Sequence, residues 1–303
     1  MNLARYGLLR RPFRSAVESA PETLARLRAG FTDGDGVALL DGEPGIGKTC
    51  AALQFLASLP AETSRVFVPS ARLSRPVELF QAILFDLGKP WQGVSEHELR
   101  LGVTEYFLGE LAAGRRGVLV LDEAHLMDAE ALEEVRLLDN LEARGAKAVF
   151  TLLVGLPRLR AQLGASLAQR IGGRHRLEPL GLDDAVAFLH RHIETCGGRP
   201  ARLLSAEAAE LIAESTAGVP RLLTQLASLA FATTVEAGQD QIDVEAVYEA
   251  MERLGLTPAA SDSSDDALRP AESGGSSSTE APAKDEPGAD ARTKQKPRKR
   301  RIA

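Results

Sequence analysis

Short apolar runs alternate with longer stretches of helical spacing through the first part of the chain. Gly36–Leu40, Arg65–Pro69, Gly117–Leu121 and Ala148–Gly155 are compact and almost continuously apolar. Runs of this kind, flanked by turn residues and rich in β-branched side chains, suit strands buried on both faces of a parallel sheet. Between them, Lys48–Ser58, Pro76–Leu87, Ser95–Ala113 and Ala129–Arg144 keep helical spacing. The alternation predicts a doubly wound α/β domain, three layers deep, with a mostly parallel sheet.

From Leu180 to about Leu256 the pattern becomes purely helical. Asp183 or Asp184 starts one helix, which stops before Gly197-Gly198. Ser205 can cap a second, running to about Ala217. Pro220 sits where a first-turn proline is tolerated, and its helix ends before Gly238; Asp243 can cap a last helix ending at Gly255. Leu222, Leu226, Leu229 and Val235 illustrate the apolar stripe. The chain therefore divides into an α/β domain over 1–180, a small helical lid over 181–256, and a tail over 257–303. The tail is acidic and Ser-rich first, then basic at Lys294, Lys296, Arg298, Lys299, Arg300 and Arg301. It has too little apolar surface to offset its ordering entropy, so disorder is expected.

Composition narrows the function classes. A net charge of -6 argues against a globally basic nucleic-acid binder, leaving a local patch or the tail for any such contact. Aromatics make up 5%, so the core is built mainly from Leu, Ala and Val. Two cysteines, Cys50 and Cys196, do not form a secreted disulfide framework and fit a reducing compartment. The first residues carry Arg but no signal-peptide core, and no apolar run approaches the roughly 20 residues of a membrane span. A soluble cytoplasmic protein with no direct membrane span is expected.

One segment carries most of the chemical information. Gly42-Glu43-Pro44-Gly45-Ile46-Gly47-Lys48-Thr49 matches G-x-x-x-x-G-K-[ST] in full, after a predicted strand and leading into a helix. Its glycines let backbone N–H groups turn inward around a polyanion. Lys48 adds charge at the β- and γ-phosphates. Thr49 offers a hydroxyl to Mg²⁺ and, with Cys50, opens a helix whose N-terminal dipole faces the phosphates. ATP with Mg²⁺ is the expected ligand of a P-loop NTPase fold.

The second segment is Val118-Leu119-Val120-Leu121-Asp122-Glu123-Ala124-His125, an apolar strand ending in two adjacent carboxylates. Asp122 is placed to hold Mg²⁺ through its water shell, and Glu123 to polarise the attacking water. Two carboxylates rather than one point to hydrolysis and not to binding alone. The bland alternative is a strand end followed by an acidic helix cap. His125 reads as a strand-exit residue near the γ-phosphate side; no second His or Cys lies at metal-ligand spacing.

Beyond these motifs the sequence resembles AAA+ ATPases of the general secretion pathway protein A group, akin to transposition target-selection ATPases and more distantly to origin-recognition ATPases. The resemblance rests on Tyr6-Gly7-Leu8 with Pro12-Phe13, on Leu153-Val154-Gly155-Leu156-Pro157-Arg158-Leu159, and on Leu167-Ala168-Gln169-Arg170-Ile171. Leu177-Glu178-Pro179-Leu180 and Gly218-Val219-Pro220-Arg221-Leu222 complete it, over roughly residues 5–254. It implies that Arg221 acts as the sensor 2 arginine, reaching the γ-phosphate and coupling the lid to nucleotide state. It also implies that Arg170 enters a neighbouring subunit's site, with Arg174 and Arg176 competing for that role. A trans arginine can be worth roughly 10³–10⁵ in rate.

One departure stands out: Leu156 replaces the polar residue, typically Gln, that the family often carries after the turn glycine. Thr151 lies earlier, inside the predicted strand, so the sensor 1 function is in doubt and hydrolysis is expected to be slow. The secretion proteins often add a membrane span and a periplasmic peptidoglycan-binding part, and neither is visible in this sequence. The resemblance implies an ATPase switch that self-associates through the nucleotide site and controls assembly with a protein partner. The competing readings are an ATP-dependent DNA-binding adaptor of the transposition type, helped by the basic tail, and a nucleotide-bound scaffold without hydrolysis. No helix-turn-helix or aromatic-basic surface is evident for the adaptor.

Overall fold

The computed structural model describes residues 21–256. The Tyr6–Leu8 and Pro12–Phe13 segment and the tail 257–303 lie outside the described residues. The α/β part runs α1 (Pro21–Asp33), β1 (Val37–Gly42), α2 (Lys48–Ser58), β2 (Ser64–Val68), α3 (Pro76–Asp86), α4 (Glu96–Ala112) and β3 (Gly117–Leu121). After a 3₁₀ turn at Ala124–Leu126 come α5 (Ala129–Leu138), β4 (Glu142–Ala143), β5 (Ala146–Lys147), β6 (Val149–Gly155), α6 (Leu159–Gln162), α7 (Ala165–Ala168) and β7 (Ile171–Leu177).

Five strands form one parallel sheet in the order β2-β3-β6-β1-β7. Alternate residues of its inner strands feed two separate cores, as the pleat requires. Val37, Leu39, Leu119, Leu121 and Leu153 pack with Phe80 of α3 and Phe107 of α4. Ala38, Leu40, Val118, Val120 and Leu152 pack on the other face with Leu24 and Leu27 of α1 and Phe55 of α2. This is the three-layer α/β/α arrangement, and it explains why the inner strands are apolar at consecutive positions.

Three features differ from the sequence expectation. The helix predicted over Ala129–Arg144 ends at Leu138, and the chain then makes a small antiparallel hairpin, β4 with β5. Its two turn residues, Arg144 and Gly145, have φ of 54 and 77. Both are left-handed, as a tight hairpin turn demands, and this local geometry ends the helical pattern. Strand β7 was not foreseen, because as an edge strand it is half exposed and its sequence, IGGRHRL, has no apolar continuity. Helix α1, preceding β1, was not foreseen either.

The helical part comprises α8 (Leu182–Thr195), α9 (Pro200–Leu203), α10 (Ala206–Ser215), α11 (Pro220–Glu236) and α12 (Val244–Leu254). Ser205 accepts the Ala208 N–H at 3.1 Å, and Asp243 accepts the Ala246 N–H at 2.9 Å. Both therefore cap their helices as expected, each contributing about 1 kcal/mol. Asp183 and Asp184 fall in the first turn of α8, where negative charge favours the dipole, while Gly181 takes the cap position. These helices enclose a core of their own around Phe188, Leu189, Ile212, Leu223, Leu226, Val247 and Met251. They pack with the sheet in one compact unit.

Among the described residues no helix is long and apolar enough to cross a membrane, and no cluster of His, Cys, Asp and Glu has the grouping of a metal site.

Candidate functional site

The site forms at the carboxyl ends of β1, β3 and β6, where open parallel sheets bind ligands. Strand β1 runs directly into the Gly42–Thr49 loop, and α2 begins at Lys48. Gly45 and Gly47 have φ of 81 and 100, a region that a side chain strains. Gly45 is constrained twice, since a Cβ there would lie 3.0 Å from the Arg221 Cβ. Ile46, between these glycines, is buried and anchors the loop in the core shared by α1 and α2.

The Lys48 ammonium donates to the carbonyls of Gly42 and Glu43, both at 3.0 Å, rather than to a carboxylate. Burial pulls its pKa down, and Glu123, Asp122 and Glu43 oppose that shift. A buried cation satisfied only by loop carbonyls is poised for an anion. Beside it, the Thr49 hydroxyl donates to Asp122 Oδ2 at 2.6 Å.

Asp122 follows β3 and is held on both sides by β2 and its exit loop. Its N–H donates to Val68 O at 2.9 Å, and its carbonyl accepts the Ala71 N–H at 2.8 Å. Burial pushes the Asp122 carboxyl up, against the Thr49 hydroxyl and the Glu123 N–H that hold it down. Thr49 and Asp122 thus present paired hard oxygen donors of the kind Mg²⁺ accepts. The residues fit a Mg²⁺-nucleotide, with a cationic loop on one side and an oxygen pair on the other.

Glu123 is a non-glycine residue in left-handed conformation, φ 54 and ψ 33. Such a backbone costs roughly 1–2 kcal/mol and recurs where geometry serves a site. Its carboxylate faces the cavity. The His125 imidazole is buried beside it, with Nε2 3.4 Å from Glu123 Oε2. On its other side, Nδ1 accepts the Leu156 N–H at 3.3 Å. Burial holds the imidazole pKa below its ordinary value, although Glu123 pulls the other way.

A cavity of about 470 Å³ joins these groups, lined by Pro44, Gly45, Gly47, Lys48, Thr49, Cys50, Glu123, Leu156, Phe188, Pro220, Arg221 and Thr224. That is the size of a small-molecule site. Its far wall belongs to α8 and the start of α11. The Arg221 N–H donates to Gly45 O at 3.2 Å, so α11 rests directly on the phosphate-type loop. Burial pushes the Cys50 thiol up, with Asp122 adding to it, so it is an un-ionised wall of the cavity.

The structure therefore brings together Lys48, Thr49, Asp122, Glu123 and Arg221, which lie far apart in sequence. Gly42, Glu43 and Ile46 support the loop from behind. Thr151 is fully buried within β6, paired with Val37 and Leu119, and its hydroxyl does not reach the cavity. Leu156 does line it, but offers an apolar side chain.

Arg170 is elsewhere. It precedes β7 at the opposite end of the sheet and pairs with buried Asp139 at 2.9 Å. Arg174 donates to Ala168 O at 2.8 Å, and Arg176 pairs with Glu178 at 3.2 Å. Phe188 and Thr224 were not identified from sequence. Thr224 lies one helical turn after Arg221, a spacing that could have revealed it, whereas nothing local marks Phe188.

Residues 32–163 match the AAA domain family. General secretion pathway protein A of Aeromonas hydrophila is 32% identical over 227 residues, which is 73% of this chain and 41% of that protein. The chain thus spans less than half the length of this relative. Among solved structures, Cdc6p from Pyrobaculum aerophilum superposes with a TM-score of 0.67 at 18% identity, over 82% of this chain and 70% of its own. The Aeropyrum pernix ORC2 protein gives 0.60 at 16%, over 80% and 68%. The Thermotoga maritima RuvB Holliday junction branch migration motor gives 0.56 at 21%, over 84% and 76%. At these identities the structural likeness is one of fold, a P-loop NTPase fold with a parallel sheet.

Proposed function

We propose that this chain binds ATP with Mg²⁺ in the cavity under α11 and hydrolyses it to ADP and phosphate, a reading supported by the match of residues 32–163 to the AAA domain family. The turnover acts as a conformational switch controlling assembly with a protein partner. The observation that carries this reading is the meeting of Glu123, Lys48, the Thr49–Asp122 oxygen pair and Arg221 around one cavity. The loop N–H groups of Gly42–Cys50 cradle the phosphates, and Lys48 leaves its loop carbonyls for the β- and γ-oxygens. Thr49 and Asp122 would hold Mg²⁺, which would supply neutralisation of the phosphate charge. Glu123 orients water for in-line attack, and Arg221 reports the γ-phosphate to the helical part.

In this reading residues 1–180 form the ATPase domain, 181–256 the lid, and 257–303 an accessory tail. Copies associate through the nucleotide site, with Arg170 or a neighbouring arginine completing it from the next subunit. Arg170 must leave Asp139 to do so, which makes the contact conditional on assembly. Cys50 and Cys196 are not joined in a disulfide, which supports a reducing, cytoplasmic compartment. Leu156 and the buried Thr151 support a low rate, since neither offers a polar group to the γ-phosphate. ATP turnover of wild type against Glu123→Gln tests the enzyme. Wild type that binds ATP yet never hydrolyses it, alone or with DNA, would refute it.

The DNA-binding adaptor is the second reading, and one observation favours it. Between Glu142 and Glu178 the chain has no acidic residue, while Arg158 and Arg174 are exposed. With the basic tail, that surface could neutralise phosphates in a salt-dependent way. Duplex retention that is absent, or indifferent to salt, would remove this reading.

A further inference from the structure

His125 is the one buried titratable side chain at the site without an assigned task. Its ring occupies a narrow slot beside the last residue of β6. A Cβ on Gly155 would lie 3.2 Å from the His125 backbone N and 3.3 Å from its Nδ1, so glycine at 155 permits the close approach. Only 6% of the residue is exposed. Nδ1 accepts the Leu156 N–H, and a neutral imidazole has one acceptor and one donor nitrogen, so the proton resides on Nε2. That nitrogen faces the Glu123 carboxylate at 3.4 Å.

Glu123 needs such support. Its left-handed backbone is strained, its side chain is 43% exposed, and the neighbouring Asp122 is committed to Thr49. A free, half-exposed glutamate samples several rotamers, and orientation of a base is worth large factors in rate. Leu156 has no polar side chain to contribute, yet its backbone N–H reaches the same cluster through the ring.

We propose that His125 is a positioning residue for Glu123: seated against Gly155 and oriented by the Leu156 N–H, its Nε2–H holds the Glu123 carboxylate toward the cavity and couples it to the β6–α6 turn. This rests on Glu123 being the hydrolytic carboxylate. It gives the turn after β6 a route to the reaction that does not require a polar residue at 156. A shift of that turn, as when a partner presses on α6, would move the carboxylate through the imidazole.

Two variants separate the two halves of the link. His125→Gln keeps an amide donor near the Nε2 position but loses the acceptor for Leu156. His125→Asn keeps an acceptor near Nδ1 but cannot reach Glu123. We expect His125→Asn to lower kcat by roughly 10–100-fold with little change in ATP affinity, as when a group orienting a reactive ligand is removed. His125→Gln should recover most of that loss. In a Glu123→Gln background, His125→Asn should add nothing further. Turnover at the wild-type level in His125→Asn, while Glu123→Gln abolishes it, overturns the proposal alone. Turnover unaffected by Glu123→Gln instead overturns the hydrolytic reading of Glu123.

A readout that does not depend on activity is the histidine tautomer in the nucleotide-free protein. With imidazole-¹⁵N labelling, the five histidines can be followed individually. The His125 ring should show the Nε2–H tautomer, and its Nε2 resonance should shift in Glu123→Gln. A proton on Nδ1, or no response to the Glu123 substitution, would overturn the proposal.

Discussion

The sheet region and the helical region of this protein are built on opposite plans. In the first, a parallel sheet is buried on both faces, and the candidate chemistry gathers where strands β1, β3 and β6 end. In the second, helices enclose a single core and present Phe188 of α8 and the start of α11 to the cavity. The first supplies the charged and polar groups, with Asp122 held by backbone hydrogen bonds to Val68 and Ala71. The second supplies one wall of the cavity from a core of its own. Two backbone contacts register one against the other: Arg221 N–H to Gly45 O, and Leu180 N–H to Gly218 O at 3.0 Å.

Substitutions at the strand ends should give the largest effects. Glu123→Gln should lower ATP turnover by about 10²–10⁴-fold, the range for loss of a general base, while ATP affinity stays near that of wild type. Lys48→Ala should instead abolish ATP binding, measured by calorimetry or a fluorescent analogue. If Lys48→Ala retains full affinity, the sheet region is not where the phosphates sit. Both variants should unfold at close to the wild-type temperature, since Glu123 is strained and Lys48 is partly desolvated.

The junction itself should be next. A Cβ on Gly218 would lie 1.9 Å from Leu180 O, and its φ is 68. Gly218→Ala should therefore cost roughly 2–4 kcal/mol, through backbone strain and the forced separation of the two chains. Hydrogen exchange should show the loss concentrated in α8, α10 and α11. Uniform destabilisation of the sheet as well would mean that the two regions are one cooperative block.

On the helical side, Arg221→Ala removes the charge that α11 brings to the cavity. It should reduce turnover by about 10–100-fold, equivalent to one charge-assisted contact, and leave stability within about 0.5 kcal/mol of wild type. An effect on ATP affinity alone, with kcat unchanged, would mean that the helical region binds but does not couple.

Smaller effects test each region's internal accounting. Ser205→Ala removes the cap of α10 and should cost about 1 kcal/mol with no change in turnover. Burial lowers the His175 pKa, chiefly by desolvation with Arg26 adding, and lowers that of His192 by desolvation. Each folded-state value lies below the ordinary 6.5, so the unfolded chain binds more protons in the window below 6.5. Stability is then fully present above 6.5 and falls as pH drops toward the folded values. Denaturation midpoints should decline across that window, and a rise on acidification would contradict it.

Much of this was legible along the chain because the decisive interactions are local. The inner strands announce themselves because burial on both faces forces consecutive apolar residues. The helices of the second region are bounded by Ser205, Pro220, Asp243 and Gly255, whose capping and turn geometry acts within a few residues. Strand β7 escaped notice because an edge strand has no such requirement, and its arginines read as surface. The break at Leu138 escaped because Arg144, a non-glycine residue at positive φ, carries no compositional mark.

Residue types at short spacing mark the phosphate-type loop, the paired carboxylates, the inner strands and most of the longer helices. Only the tertiary structure decided which distant groups meet. It set Thr49 against Asp122, laid Arg221 on Gly45, tied Arg170 to Asp139 at the far end of the sheet, and joined His125 to Leu156. Those contacts follow from strand order and helix placement, which long-range packing imposes and no local pattern encodes.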